Sequence, residues 1–276
     1  VFKEVNQINA KIDDINHLIQ ENDLTEIPSS FKGVSEGKIL ENLQAQYKDM
    51  APLLASFGLS KNQKMKTVMD KQVNAPQWSK VQDAIKKPEA LARIKELKNP
   101  TLLLVPAGMP FKEMMNTVTQ QDKDEDKRKE PFFNFYSSWE PQFDKDRAGE
   151  VVGFDLRVPE EGKTKEDRLK SNDYGFQGWE VVVVDGTDEV PEETKNRSAT
   201  DLAQQFEKSG VSFMGPEAYV VLQMRGKLRG KQYDEETWTW LDAYIKAYSS
   251  VAAGDWNPAG QKLKLSDDAP SDKAAR

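Results

Sequence analysis

The sequence predicts an α+β protein, with a helical region over residues 1–99 followed by a mixed α+β domain over residues 100–276. Three observations carry that expectation. Apolar residues through the first hundred positions recur every three or four residues, the helical period. Asn99-Pro100 then breaks the pattern, because the residue before a proline is driven out of helical geometry, and Thr101-Leu102-Leu103-Leu104-Val105 follows as a buried strand. Finally, Gly178-Trp179-Glu180-Val181-Val182-Val183-Val184-Asp185-Gly186 sets four valines between glycines, which predicts a central strand over 179–184 with both faces covered.

At the N-terminus Val1, Val5, Ile8, Ile12, Ile15 and Ile19 form one narrow helical stripe of the kind seen in a coiled-coil seam. Fewer than three heptads are present, so the stripe is expected to pack within the chain as half of a helical hairpin and the protein to be a monomer. The other half is carried by Ile39, Leu43, Tyr47, Met50 and Leu54. Short helices are expected from there to residue 99, with Val68 and Met69 on one face, then Trp78, Val81 and Ile85, then Leu91, Ile94 and Leu97 beyond Pro88.

Past the first strand, residues 111–118 read as a short helix and residues 120–130, which hold no apolar residue, as a charged loop. The Asp122-x-Asp124-x-Asp126 spacing within it lacks the glycine and the closing glutamate of a calcium loop, since Lys127 and Phe133 stand there. The aromatics Phe132, Phe133, Phe135, Tyr136, Trp139 and Phe143 are expected in the core, and a further strand over 151–158. Asp185-Gly186-Thr187-Asp188 is turn chemistry. Ser198 or Thr200 caps a helix carrying Leu202, Ala203 and Phe206, and Gly215-Pro216 opens another carrying Tyr219, Val220, Leu222, Gln223 and Met224. Trp238 to Leu241 begins a strand or helix. In the last strand, over 261–265, Leu263 and Leu265 point inward and Gln261 and Lys264 outward, and Lys262 is expected on the Lys264 face only if a bulge intervenes.

Composition narrows the function. Of 276 residues 37% are apolar and 31% charged, a foldable but hydrophilic balance. Residues 1–99 carry fifteen Lys/Arg against thirteen Asp/Glu, which leaves 24 against 33 beyond; so acidic a C-terminal part argues against nucleic-acid binding. With no cysteine there are no disulfides, thiolate nucleophiles or cysteine-held metals. No apolar run approaches the ~20 residues of a membrane span, and Val1-Phe2-Lys3-Glu4 does not read as a signal peptide, so a soluble protein of undetermined address is expected. His17, the only histidine, lies opposite the seam and has no histidine partner for a triad or metal. Gly226-Lys227-Leu228-Arg229-Gly230-Lys231 neither follows a strand nor ends in Ser/Thr, as a phosphate loop must. No cofactor is expected. Asp185, at the end of a strand, is the best single carboxylate for general acid/base work, though a tight turn also wants an Asp there.

Five segments in series carry a resemblance: Gly178-Trp179-Glu180-Val181 with Asp185-Gly186; Met214-Gly215-Pro216-Glu217-Ala218-Tyr219; Thr237-Trp238-Thr239-Trp240-Leu241; Gly254-Asp255-Trp256-Asn257; and Gln261-Lys262-Leu263-Lys264-Leu265. Residues 102–110 fit the same series. Residues 100–276 thereby resemble uncharacterised bacterial proteins that end in a C-type-lectin-like domain, of the kind diversified by diversity-generating retroelements. Such domains continue past an Ala-Arg pair into a last strand, whereas this chain stops at Ala274-Ala275-Arg276, and the cysteine-oxidising enzymes of that architecture need cysteines that this chain lacks. The resemblance therefore implies a non-enzymatic protein that binds a ligand or another protein, with Asn257, Gln261, Lys262, Lys264, Ser266, Asp267 and Asp268 on the display surface. The alternatives are a carboxylate-dependent hydrolase around Asp185 and a structural subunit assembling through the N-terminal seam.

Overall fold

The computed structural model describes residues 31–57, 59, 64–67, 71–119, 134–135, 176–187, 194–209, 213–245, 250–259 and 262–268. In chain order these form α1 (Glu36–Lys48), α2 (Ala51–Ser56), β1 (Met65–Lys66), β2 (Gln72–Val73), α3 (Trp78–Ile85), α4 (Pro88–Glu96), β3 (Pro100–Val105), α5 (Phe111–Thr119), β4 (Asn134–Phe135), β5 (Glu180–Asp185), α6 (Ala199–Ser209), α7 (Pro216–Leu228), β6 (Thr239–Ile245), β7 (Ser250–Asn257) and β8 (Lys262–Asp268). The fold class is α+β, as the sequence predicts. The N-terminal stripe, His17, the loop over 120–130, the strand expected over 151–158 and all of the clustered aromatics but Phe135 lie outside the described residues.

Helix α7 is the hub. Its residues from Pro216 to Gly226 are all buried, Glu217, Gln223 and Arg225 included, so the helix is covered on every side and lies inside the fold rather than on its surface. It packs on β3 on one side and on β6 and β7 on the other, so it separates the β3–β5 ribbon from the four-stranded sheet ordered β4-β8-β7-β6. The helix begins as its sequence dictates, at Gly215-Pro216, and ends in a Schellman turn. There Gly230, at φ 67°, donates to Lys227 O and the next N–H, of Lys231, donates to Gly226 O. The Gly226 to Lys231 run is thus a helix C-terminus and not a phosphate loop.

The expectation of a central strand over 179–184 is corrected. β5 is half-buried at all six positions, and the strand buried throughout is β3. The two run antiparallel from Pro100↔Asp185 to Val105↔Glu180. The valines do alternate between two clusters: Val182 and Val184 pack on the main core around α7, Val183 on the cluster made with α1, α3 and α4, and Val181 on both. Both faces are therefore occupied, but among the described residues β5 has a strand along one edge only, which leaves every position partly accessible.

The all-helical expectation for residues 1–99 is corrected as well. β1 and β2 form a two-stranded antiparallel ribbon pairing Met65 with Val73, both buried in the main core, while Lys66 and Gln72 face out. Elsewhere in this region the helical period holds: Ile39, Leu40 and Leu43 of α1, Val81 and Ile85 of α3, and Leu91 and Ile94 of α4 form one cluster against Leu102 of β3.

Among the described residues β3 has a strand along one edge only, and the peptide groups of a buried strand's other edge must be satisfied some other way. The amide of Gln46, fully buried on α1, does this for β3. Its Oε1 accepts from Leu102 N at 2.8 Å and its Nε2 donates to Pro100 O at 3.0 Å, in the way a neighbouring strand would. Arg225 of α7, also buried, adds Nη1 to Leu102 O at 2.5 Å and Nη2 to Gln46 Oε1 at 3.4 Å. Burial lowers the Arg225 pKa to about 10, assisted by repulsion from Arg229 and opposed by Asp49.

Candidate binding face

The terminal sheet is built on the β7–β8 pair, whose register runs unbroken from Asn257↔Lys262 through Asp255↔Lys264 and Ala253↔Ser266 to Val251↔Asp268. Residues facing each other across an antiparallel pair share a face, and the faces alternate along each strand. One face therefore carries Trp256, Gly254 and Ala252 with Leu263 and Leu265, all buried and all but the glycine part of the main core beside α7. The other is the row Asn257, Asp255, Ala253 and Val251 with Lys262, Lys264, Ser266 and Asp268. Lys262 and Lys264 share it with no bulge between them, which corrects the irregularity expected at this point.

The inner face is held by α7. The Tyr219 ring lies directly under Gly254, close enough that a Cβ at 254 would overlap its ring carbons, so only glycine fits there. The Tyr219 hydroxyl donates to Asp234 Oδ2 at 3.0 Å and accepts from Gln223 Nε2 at the same distance. Asp234, at φ 59° in the loop after α7, also accepts from Thr239 Oγ1 at 2.8 Å and from Thr237 Oγ1 at 3.0 Å, and its backbone oxygen accepts from Trp256 N at 3.1 Å. One residue thus ties α7 and the start of β6 through its carboxylate and the end of β7 through its backbone carbonyl. Burial, with Asp234 alongside, holds the Tyr219 hydroxyl well above the usual tyrosine range.

The outer face is divided. Over Ala253 and Val251 lies α6, which places Ala199, Leu202 and Phe206 against them and against Trp240 and Trp238 of the β6 end. Ser198 caps that helix, as its sequence predicts, accepting from Asp201 N at 3.1 Å, and Trp240 Nε1 donates to Arg197 O at 3.2 Å. Beyond α6 the face is polar: Asn257, Asp255, Lys264 and Ser266 are half-buried, and Lys264 Nζ lies 3.8 Å from Asp255 Oδ1. Burial raises the Asp255 carboxyl above the usual carboxylate range; Lys264 opposes the rise and Asp234 adds to it.

The sequence-predicted site residues sort accordingly. Asn257, Lys264 and Ser266 come together on the outer face, and the register sets Lys262 and Asp268 in the same row. Asp267 is paired with Ala252 and falls in the alternate row with Leu263 and Leu265, while Gln261 lies outside the described residues. Asp255 and its supporting Asp234 were not among the candidates. Asp255 stands in the Gly254-Asp255-Trp256-Asn257 segment, but only the register with β8 reveals its lysine.

Asp185 occupies a turn. Its carboxylate accepts from Lys98 N at 3.0 Å, Asn99 N at 3.1 Å and Thr187 N at 3.2 Å, which joins the entry to β3 with the exit from β5. Among the described residues no group of three or more His, Cys, Asp or Glu side chains is arranged to hold a metal ion, and no helix is long and apolar enough to cross a membrane. The chain matches no family model, no curated protein and no solved structure.

Proposed function

We propose that the protein is a non-enzymatic binding protein that presents the outer face of β7 and β8, around Asn257, Asp255, Lys264 and Ser266, to a ligand or protein partner. The observation that carries this is the contrast between the two faces of one strand pair: the inner face is fixed to the core through Leu263, Leu265, Trp256 and the Tyr219–Gly254 contact, while the outer row is polar and half-exposed. Polar side chains held on a rigid strand bind with little ordering cost, which is what a display surface needs. The C-type-lectin-like resemblance over residues 100–276 points the same way and belongs to the same proposal. The binding role is further supported by the commitment of Asp185, the strongest carboxylate candidate for a hydrolase, to three backbone N–H groups.

The test is capture of a partner from the protein's source by the immobilised chain, compared with an Asn257→Ala/Ser266→Ala variant and with Asp185→Asn. The double variant should stay folded, with a loss inside the ordinary substitution range of about 0.5–3 kcal/mol, since both side chains are half-buried and neither belongs to the hydrophobic clusters. It should capture at least tenfold less partner, because a few central contacts dominate most interfaces. Asp185→Asn should capture as the parent does. Undiminished capture by the double variant, or a hydrolytic activity lost in Asp185→Asn, would defeat the proposal.

A further inference from the structure

Among the described side chains of the outer face, Asp255 and Lys264 form an ion pair whose surroundings make it conditional on protonation. Asp255 meets Lys264 of β8 at 3.8 Å, and the lysine side chain keeps 44% of its surface exposed against 24% for the aspartate. The carboxylate is the more buried partner and the ammonium the more solvated one. From the loop after α7, Asp234 acts on Asp255 with like charge, and from α7 the Tyr219 hydroxyl is within range of both carboxylates. The Asp234 carboxylate is itself engaged by three hydroxyl donors, from Tyr219, Thr237 and Thr239. Lys264 is therefore the one cation set against two acids at this end of the sheet among the groups acting on Asp255, and Asp255 is the acid with no hydroxyl donor among these contacts.

We propose that the Asp255–Lys264 pair is an acid-opened clasp on the binding face: uptake of a proton by Asp255 ends the ion pair, releases Lys264 to solvent and adds one positive charge to the face. This rests on the outer face being the binding surface and assigns its regulation. With the clasp closed, Asp255 and Lys264 cancel and the face binds through Asn257 and Ser266. With the clasp open, Lys264 is available to an anionic group of the partner, such as a carboxylate or phosphate, so an anionic partner is held more tightly in acid and let go as pH rises. The direction follows from the environment, because burial and the neighbouring Asp234 bring Asp255 to its neutral form at a higher pH than an exposed aspartate.

The test is an NMR titration of the full chain that follows the side-chain carboxyl of Asp255 and the ammonium end of Lys264, with inorganic sulfate as the anionic probe because it stays ionised throughout. The Asp255 and Lys264 signals should move with one shared midpoint, above that of an unperturbed aspartate. At neutral pH Asp255→Asn should show Lys264 already in its released position and bind sulfate about fivefold more tightly than the parent, the effect of one uncovered charge at a partly exposed site. That variant makes the outcome independent of how the parent tolerates acid. Lys264→Gln should remove the sulfate effect at every pH. Lys264 signals that ignore the Asp255 titration, or an Asp255→Asn variant with parent affinity for sulfate, would overturn the clasp. Partner capture through Asn257 and Ser266 is read separately, so the clasp can fail while the binding face stands, and the reverse.

Discussion

Gln46 pairs both Pro100 O and Leu102 N of a buried strand with a single side chain, so its replacement isolates the worth of that device. In Gln46→Leu the shape is roughly kept, but Leu102 N and Pro100 O lose their partner in a site without water access, and each buried peptide group left unpaired costs about 1–3 kcal/mol. A loss of roughly 2–4 kcal/mol in denaturant unfolding is expected, and a loss below about 1 kcal/mol would mean that the edge is satisfied in another way. Asp255 gives the residue-scale prediction for pH. Its folded carboxyl titrates above the unfolded value, so the native state binds the proton more readily than the unfolded chain and stability falls as pH rises through that interval. Asp255→Asn removes that loss. The variant's melting temperature should exceed the parent's at neutral pH, and the gap should close below the ordinary aspartate range; a variant less stable at neutral pH would show that the Lys264 attraction outweighs burial. Neither residue was legible as important in the sequence. Gln46 reads as one polar residue among several on a helix, and both roles depend on contacts across the fold.

At the scale of elements, legibility followed how local the determining physics is. β3 was legible because Asn99-Pro100 ends a helical period and five apolar or β-branched residues follow at once; α7 was legible because Gly215-Pro216 starts it. The tetravaline of β5 announces a strand but carries no information about its edges, and its half-burial comes from having a single strand neighbour among the described residues. β7 was not legible as a strand, since Val251-Ala252-Ala253-Gly254 has little strand propensity. Gly254 is there because the Tyr219 ring occupies the space beneath it, a constraint set from 35 positions away, and Ala253 lies on the opposite face among Ala199, Leu202 and Trp240. The ribbon β1–β2, two residues per strand, is too short to show a period. The difference between β3 and β5 is measurable. Leu103→Ala removes a fully buried side chain and should cost about 2–5 kcal/mol, whereas Val183→Ala, on the half-buried partner strand, should cost about 1 kcal/mol. Equal losses in urea denaturation would restore the central position for β5.

For the molecule as a whole, α7 is the element that connects the N-terminal helices to the face at the far end of the chain. Arg225 on one side of it reaches Leu102 O and Gln46, and Tyr219 on another supports Gly254 and Asp234. The face proposed to bind is thus mounted on the same helix that packs on β3, and it is built of paired strands rather than a loop. In the sequence, the alternation over 261–265 was enough to separate Leu263 and Leu265 from Lys264, but the partners that complete the face, Asp255 above all, needed the register of β7. The central claim is that this outer row is where the partner sits. It is tested most directly by photo-crosslinking in the protein's own cells, with the crosslinker placed in turn at Asn257, at Ser266, and at the exposed Gln205 and Glu89 away from the row. Positions 257 and 266 should yield the same discrete partner adduct and positions 205 and 89 none; an adduct confined to 205 or 89, with 257 and 266 silent, would contradict the account.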